Sequence, residues 1–234
     1  MKANSCSLDK YHPGVDFGEV RERVAAEARR LAAEGLVLGT AGNVSQRVDE
    51  RVAITPTGAV LAEIEAADVC IVDLDGRMVD GALAPTSELD LHLGAMRRHG
   101  CGAVVHTHAP MSTAAACVLD ELPCVHYAML ALGGPVPVAP YTTFGTPELA
   151  ESVVAALEGR TAALMANHGA VTVADTVEAA TELTFLLEWA ATVYLNAAAA
   201  GRPRELDVAQ RTAVIDAVVA RGYGAVKLAE DDSR

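Results

Sequence analysis

Lysine is nearly missing from this chain. Lys2, Lys10 and Lys227 are its only lysines, all near the ends of the sequence. Schiff-base catalysis needs a lysine amine held in a desolvated pocket, and no good candidate for one exists here. Cysteine is sparse as well. Cys6, Cys70, Cys101, Cys117 and Cys124 are an odd number with no Cys-x-x-Cys spacing, so free thiols in a reducing compartment are expected. No run of about 18 uninterrupted apolar residues occurs, and none is therefore expected to cross a membrane. Residues 1–7 lack the apolar core of a secretion signal, and a cytoplasmic location is the resulting expectation. Positive charge is scarce, with a formal net charge of −13. That excludes binding to nucleic acid or to an anionic membrane surface through bulk electrostatics. Any phosphorylated ligand must be held locally, against the global field.

What is present suits a single α/β domain. The 234 residues are 51% hydrophobic, much of it alanine and valine, enough for one sizeable core. The expected domain spans residues 1–234, with 1–15 and 226–234 as loose termini. The central stretch is 103–110. Ala103, Val104 and Val105 read as a short buried strand, stopped by Pro110. Residues i and i+2 of a strand share a face, so His106 and His108 present two imidazoles side by side, each able to bind a metal at roughly 2.0–2.1 Å for zinc. A His-x-His pair alone is a weak motif, and the rest of the chain has to strengthen it.

Before that strand, Val20, Val24, Ala28 and Leu31 recur at helical spacing from Asp16 onwards, up to a stop at Gly35. The small and hydroxyl residues of 39–45, with Thr40, Asn43 and Ser45, form a loop that lets an anion approach closely, leading into a strand over 44–48. A strand over 52–55 runs into a turn at Thr57 and Gly58. Residues 69–74 and 77–79 read as a hairpin across Asp75 and Gly76. Strands that follow one another without intervening helices suggest antiparallel pairing, and the Gly-x-x-Gly spacing is not a dinucleotide fingerprint.

A helix from Pro85 to His99 should be capped by Thr86 or Ser87, with Glu88 in its first turn; its N-terminus is a ready anion site. His92 and His99 on it read as surface or packing residues. A helix is expected from Pro110 to about Leu119. The prolines of 135–140 confine that segment to an edge strand or an extended loop. Thr146, Pro147 and Glu148 open a helix ending at Gly159. A strand over 161–166 delivers Asn167, His168 and Gly169, where a bent backbone would aim the histidine. Asp175 or Thr176 caps a long helix to about Ala199, and a last helix covers about 207–221.

These pieces can make a site. Zinc catalysis typically uses three protein ligands and an open position; His106, His108 and His168 supply three, and Glu88 is available as a fourth ligand or a general base. Three phosphate-friendly segments, around Asn43, Thr57–Gly58 and Thr86–Ser87, precede the histidine strand. A metal beside a carboxylate suits proton transfer next to a carbonyl, as in aldol, epimerase or dehydratase chemistry.

Taken together, Gly42–Ser45, Ile54–Gly58, Thr86–Glu88, Val104–His108, His126–Tyr127, Ala139–Thr146 and Asn167–Gly169 resemble, in order, the motifs of the class II aldolase/adducin family, most of all its aldolases for L-fuculose 1-phosphate. The resemblance covers roughly residues 16–225. It implies a three-layer α/β/α sandwich around a mainly antiparallel sheet, and a homotetramer with active sites between subunits. It also implies one Zn2+ per subunit on His106, His108 and His168, with Glu88 as the resting fourth ligand and the catalytic carboxylate. The family's phosphate site falls on Asn43, Thr57, Gly58, Thr86 and Ser87, where Thr86 replaces the usual serine and keeps the hydroxyl. Tyr127 matches a catalytic tyrosine reaching in from the adjacent subunit, and Phe144 and Tyr223 match the aldehyde side. The implied reaction splits a ketose 1-phosphate, L-fuculose 1-phosphate, into dihydroxyacetone phosphate and L-lactaldehyde through a metal-stabilised enediolate. Ribulose-phosphate 4-epimerases of the family carry aspartate where this chain has Glu88, which favours the aldolase. Relatives acting on methylthioribulose or deoxyribulose 1-phosphate, and a non-catalytic adducin-like scaffold, remain alternatives.

Overall fold

The computed structural model describes residues 17–221. It is built on a nine-stranded sheet. The strands are β1 (Asn43–Val48), β2 (Arg51–Ile54), β3 (Cys70–Asp73), β4 (Met78–Asp80), β5 (Ala103–Thr107), β6 (Glu121–Leu122), β7 (Val136–Ala139), β8 (Ala162–Met165) and β9 (Gly169–Ala174). Their order across the sheet is β4-β3-β2-β1-β5-β9-β8-β7-β6. Neighbours run antiparallel except β7 and β8, which are parallel. The helices are α1 (Phe17–Ala33), α2 (Leu89–His99), α3 (Pro110–Ala116), α4 (Pro147–Ala156), α5 (Val177–Ala200) and α6 (Val208–Arg221).

Both faces of the sheet are covered, and strand periodicity sorts the side chains between them. Val104 of β5 packs with Leu91, Met96, Leu149 and Val153 of α2 and α4. Its neighbours Ala103 and Val105 face the other way, onto Val24, Ala28 and Leu31 of α1 and Ala180 of α5. The architecture is therefore α/β/α in three layers, as expected. A third cluster joins α3 and α5 to β8 through Ala115, Leu164 and Leu187. α5 is long and apolar enough to cross a membrane by length and composition. Here its Val177, Ala180, Thr184 and Leu187 are buried and Glu178, Glu182 and Glu188 lie along it, the pattern of a core helix with one wet side.

Three expectations need correction. The helix after Pro85 starts later, at Leu89, and Glu88 rather than Thr86 or Ser87 occupies the capping position. Residues 85–86 are tied to the end of β2 instead: Pro85 pairs with Pro56, and the Thr86 N–H donates to the Thr55 carbonyl at 3.2 Å. The proline-rich segment is not an edge. β7 lies inside the two-residue β6, which pairs with it at Pro137 and Val136; so short a partner asks little of the missing proline N–H. α3 stops at Ala116, three residues short of the expected end.

Candidate active site

Four strand and turn positions converge at the centre of the sheet. β1 lies beside β5 with Asn43 opposite His106, and β9 flanks β5 on its other side. The β8–β9 turn brings in His168. Asn167 there has φ of 54°, and the His168 N–H returns to the Met165 carbonyl at 3.1 Å, the bent backbone anticipated for this segment. The turn fits only because residue 169 is glycine: a Cβ there would sit 2.3 Å from the Thr107 carbonyl oxygen. Gly42, at φ of 92°, plays a matching part before β1, since a Cβ would meet the His106 carbonyl oxygen at 3.0 Å.

The rings of His106, His108 and His168 form a triangle with every centroid pair 4.9 Å apart, and one nitrogen from each lies within 4.8 Å of the others. His106 is fully buried. Its Nδ1 lies 3.0 Å from the Ala170 carbonyl oxygen, which only accepts, so Nδ1 carries the proton and Nε2 offers a lone pair. The Nε2 atoms of His106 and His108 are 3.0 Å apart. Glu88 reaches the same point, with Oε2 3.1 Å from His106 Nε2 and Oε1 3.5 Å from His168 Nε2. Oε1 is buried without a hydrogen-bond partner. Nitrogens on one tetrahedral zinc sit about 3.3 Å apart, so three imidazoles and a carboxylate with an unsatisfied oxygen fit a divalent cation.

Electrostatics keep the set ready. Burial disfavours the Glu88 carboxylate, but His106, the Asn43 amide and His168 together outweigh that and hold its carboxyl below the ordinary range. Burial, reinforced by His106, pushes His108 and His168 down to about 4. His108 and His168 are thus neutral at pH 7, the form that binds metal.

A cavity of about 370 Å³ opens beside the cluster. Asn43, Thr57, Gly58, Thr86, Ser87, Glu88, His108, His168 and Phe144 line it, joined by Thr40 and Gly42. Among the described residues no lysine or arginine does, so an anion there would meet hydroxyls and backbone amides. Ser45 does not reach the cavity; it is fully buried behind it. Tyr127 is 44% exposed, stacked on His126 with centroids 4.3 Å apart, and outside the cavity lining. Tyr223 lies outside the described residues.

His92, read from the sequence as a surface or packing residue, has polar partners that the sequence did not reveal. It is wholly buried, touching Ser45 and Asn43, and burial, with His106 adding, holds it down to about 3. Its spacing of four from Glu88 on a helix was the available signal.

A family profile described as "Class II Aldolase and Adducin N-terminal domain" matches residues 22–195. A 5-deoxy-D-ribulose 1-phosphate aldolase of Bacillus thuringiensis serovar kurstaki is 38% identical over 80% of this chain and 89% of its own length. An L-fuculose phosphate aldolase of Escherichia coli is 39% identical over 72% of this chain and 79% of its own. Among solved structures, an L-fuculose 1-phosphate aldolase superposes with a TM-score of 0.81 at 31% identity, covering 86% of this chain and 96% of its own.

Proposed function

The chain belongs to the class II aldolase and adducin family, and we propose that it cleaves a deoxyketose 1-phosphate between C3 and C4 into dihydroxyacetone phosphate and a short aldehyde. The enzyme class is that of the class II aldolases, carbon–carbon lyases. The observation that carries the reading is the convergence of His106, His108, His168 and Glu88 on one point at the floor of a cavity lined by neutral anion donors. These four residues would hold a divalent cation, with zinc expected, one per subunit. Bound there, it supplies a Lewis acid that offsets negative charge developing on the substrate's carbonyl oxygen.

The chain's own residues do the rest. Thr57, Gly58, Thr86 and Ser87, with Asn43 beside them, take the phosphate through hydroxyl and amide hydrogens near the start of α2, where the helix dipole favours an anion. Glu88, ionised at the cavity floor, takes up the proton that the C4 hydroxyl loses as the C3–C4 bond breaks and passes it to C3. Tyr127, contributed by a neighbouring copy in a homotetramer, serves the oxygen on C4 that becomes the aldehyde carbonyl; its exposure away from its own cavity supports that placement. Phe144, 68% exposed at the cavity mouth, flanks the aldehyde side, a role the motif resemblance also assigns to Tyr223. A small cavity of about 230 Å³ behind Phe144, between His108, Tyr141 and Thr142, has room for a short product. We place the enzyme in the cytoplasm.

Two substrates fit this scheme. The motif resemblance points to L-fuculose 1-phosphate, releasing L-lactaldehyde. The Bacillus relative, matched over more of the chain, favours 5-deoxyribulose 1-phosphate, which would release acetaldehyde. Both end in a methyl group. The test offers a panel of ketose 1-phosphates to purified, metal-assayed protein and follows dihydroxyacetone phosphate. Chelator-sensitive release, fastest with one of these two, is expected. Metal-loaded protein that releases none would overturn the aldolase reading in favour of an epimerase or dehydratase, and protein unable to bind metal would favour a scaffold.

A further inference from the structure

Behind the cavity floor, four polar side chains form an unbroken hydrogen-bonded line, two of whose members, His92 and Ser45, have no part in the mechanism above. Asn43 and Ser45 are i and i+2 on β1, on the face toward α2. Glu88 and His92 are i and i+4 at the start of α2, on the face toward β1. All four are buried, with exposures of 5%, 0%, 7% and 0%. Asn43 Nδ2 donates to Glu88 Oε2 at 2.9 Å. Asn43 Oδ1 contacts His92 Nε2, and His92 Nδ1 lies 2.7 Å from Ser45 Oγ.

Donor and acceptor arithmetic leaves one arrangement. An ionised carboxylate only accepts, so the amide NH2 of Asn43 must face Glu88 and its carbonyl must face His92. That carbonyl also only accepts, so His92 Nε2 must carry the proton. Nδ1 is then a lone pair, and Ser45 Oγ–H donates to it. The opposite amide orientation would set a carbonyl oxygen against the carboxylate and leave both without a hydrogen between them. We propose that His92, anchored by Ser45, is a positioning residue that fixes the Asn43 amide and thereby the placement of the Glu88 carboxylate at the reaction centre. Burial keeps His92 neutral, as this role needs. Asn43 therefore commits one amide hydrogen to Glu88 and its oxygen to His92, so its part in the site is to orient the carboxylate as well as to border the phosphate.

The proposal rests on the assignment of Glu88 to proton transfer, and the experiment separates the two. In 15N-labelled, metal-free protein, His92 should show the neutral Nε2–H tautomer throughout pH 5–8, with a slowly exchanging ring proton. In metal-loaded protein, His92→Leu should lower kcat by about 10–100-fold at unchanged metal content and with a much smaller change in KM. His92→Gln, whose amide can donate to Asn43 and accept from Ser45, should recover most of that loss. Ser45→Ala, the mildest change, should lower kcat less than His92→Leu, and it carries the kinetic test if His92→Leu fails to fold. An Nδ1–H tautomer in the wild type, or wild-type kcat in both His92→Leu and Ser45→Ala, would overturn the proposal. So would His92→Gln and His92→Leu being equally impaired. If the wild type cleaves no ketose 1-phosphate, the functional reading fails, while the tautomer measurement still decides the hydrogen-bond chain.

Discussion

At the scale of single residues, Glu88 is asked to do two things at once. In the proposed mechanism it completes the donor set beside the three histidines and also moves a proton. Its neutral isostere separates these. Glu88→Gln leaves three imidazoles to retain much of the metal, while turnover should fall by at least about 100-fold with the loss of the proton-carrying group. Metal content and kcat measured on the same preparation check this, and unchanged turnover would remove Glu88 from the chemistry. The histidines set a pH dependence. His108 and His168 are neutral in the folded state down to about 4, against an ordinary value of 6.5, because they are buried and near His106. Between those values the unfolded chain binds more protons than the folded one, so stability rises with pH across the interval. Metal-free protein should be fully stabilised by this term above about pH 6.5 and lose it as pH falls toward 4. Urea midpoints over that range would show it.

At the scale of elements, the site is a product of strand period and two close backbone approaches. His106 and His108 follow from alternation along β5, and Asn43 and Ser45 from the same alternation along β1. Gly169 lets the β8–β9 turn press against β5. Gly169→Ala should cost about 1–3 kcal/mol through forced backbone displacement and weaken metal binding by moving His168. Denaturant midpoints and a metal titration test both effects, and a variant with wild-type affinity would detach the turn from the site. Period and turn chemistry are local, which is why the pairing of His106 with His108 and the bend at Asn167 were readable in the sequence. What was not readable depended on distant partners. Pro85 and Thr86 stay extended because β2 holds them; β7 is covered because a two-residue β6 too short to leave a pattern lies outside it. His92 was read only as a surface or packing residue because its partners sit on another element, 47 and 49 residues away.

At the scale of the whole molecule, the chain is strongly acidic, no lysine or arginine among the described residues lines the cavity, and Tyr127 is exposed and outside the cavity lining of its own subunit. The proposed sites completed between copies would account for the exposure of Tyr127. A mixture settles this. Tyr127→Ala and Glu88→Gln should each be nearly inactive alone. Dissociated and reassembled together, they should form some interfaces with both groups intact and recover up to about a quarter of the wild-type rate. A mixture no more active than its components would place both groups in one subunit or neither in the reaction. The layered fold and the metal-ready cluster were legible from the ordered motifs; the identity of the ketose was not, since short, small-residue segments around the aldehyde side carry no periodic signal.

The most direct test of the account is a metal titration of stripped protein, with dihydroxyacetone phosphate release from 5-deoxyribulose 1-phosphate and L-fuculose 1-phosphate as the readout. Release should be absent at the start, rise linearly with added zinc and level off at one equivalent per subunit. The same titration on His106→Ala should give no comparable rise. Full release from stripped protein, or a wild-type curve from that variant, would contradict a reaction built on His106, His108, His168 and Glu88.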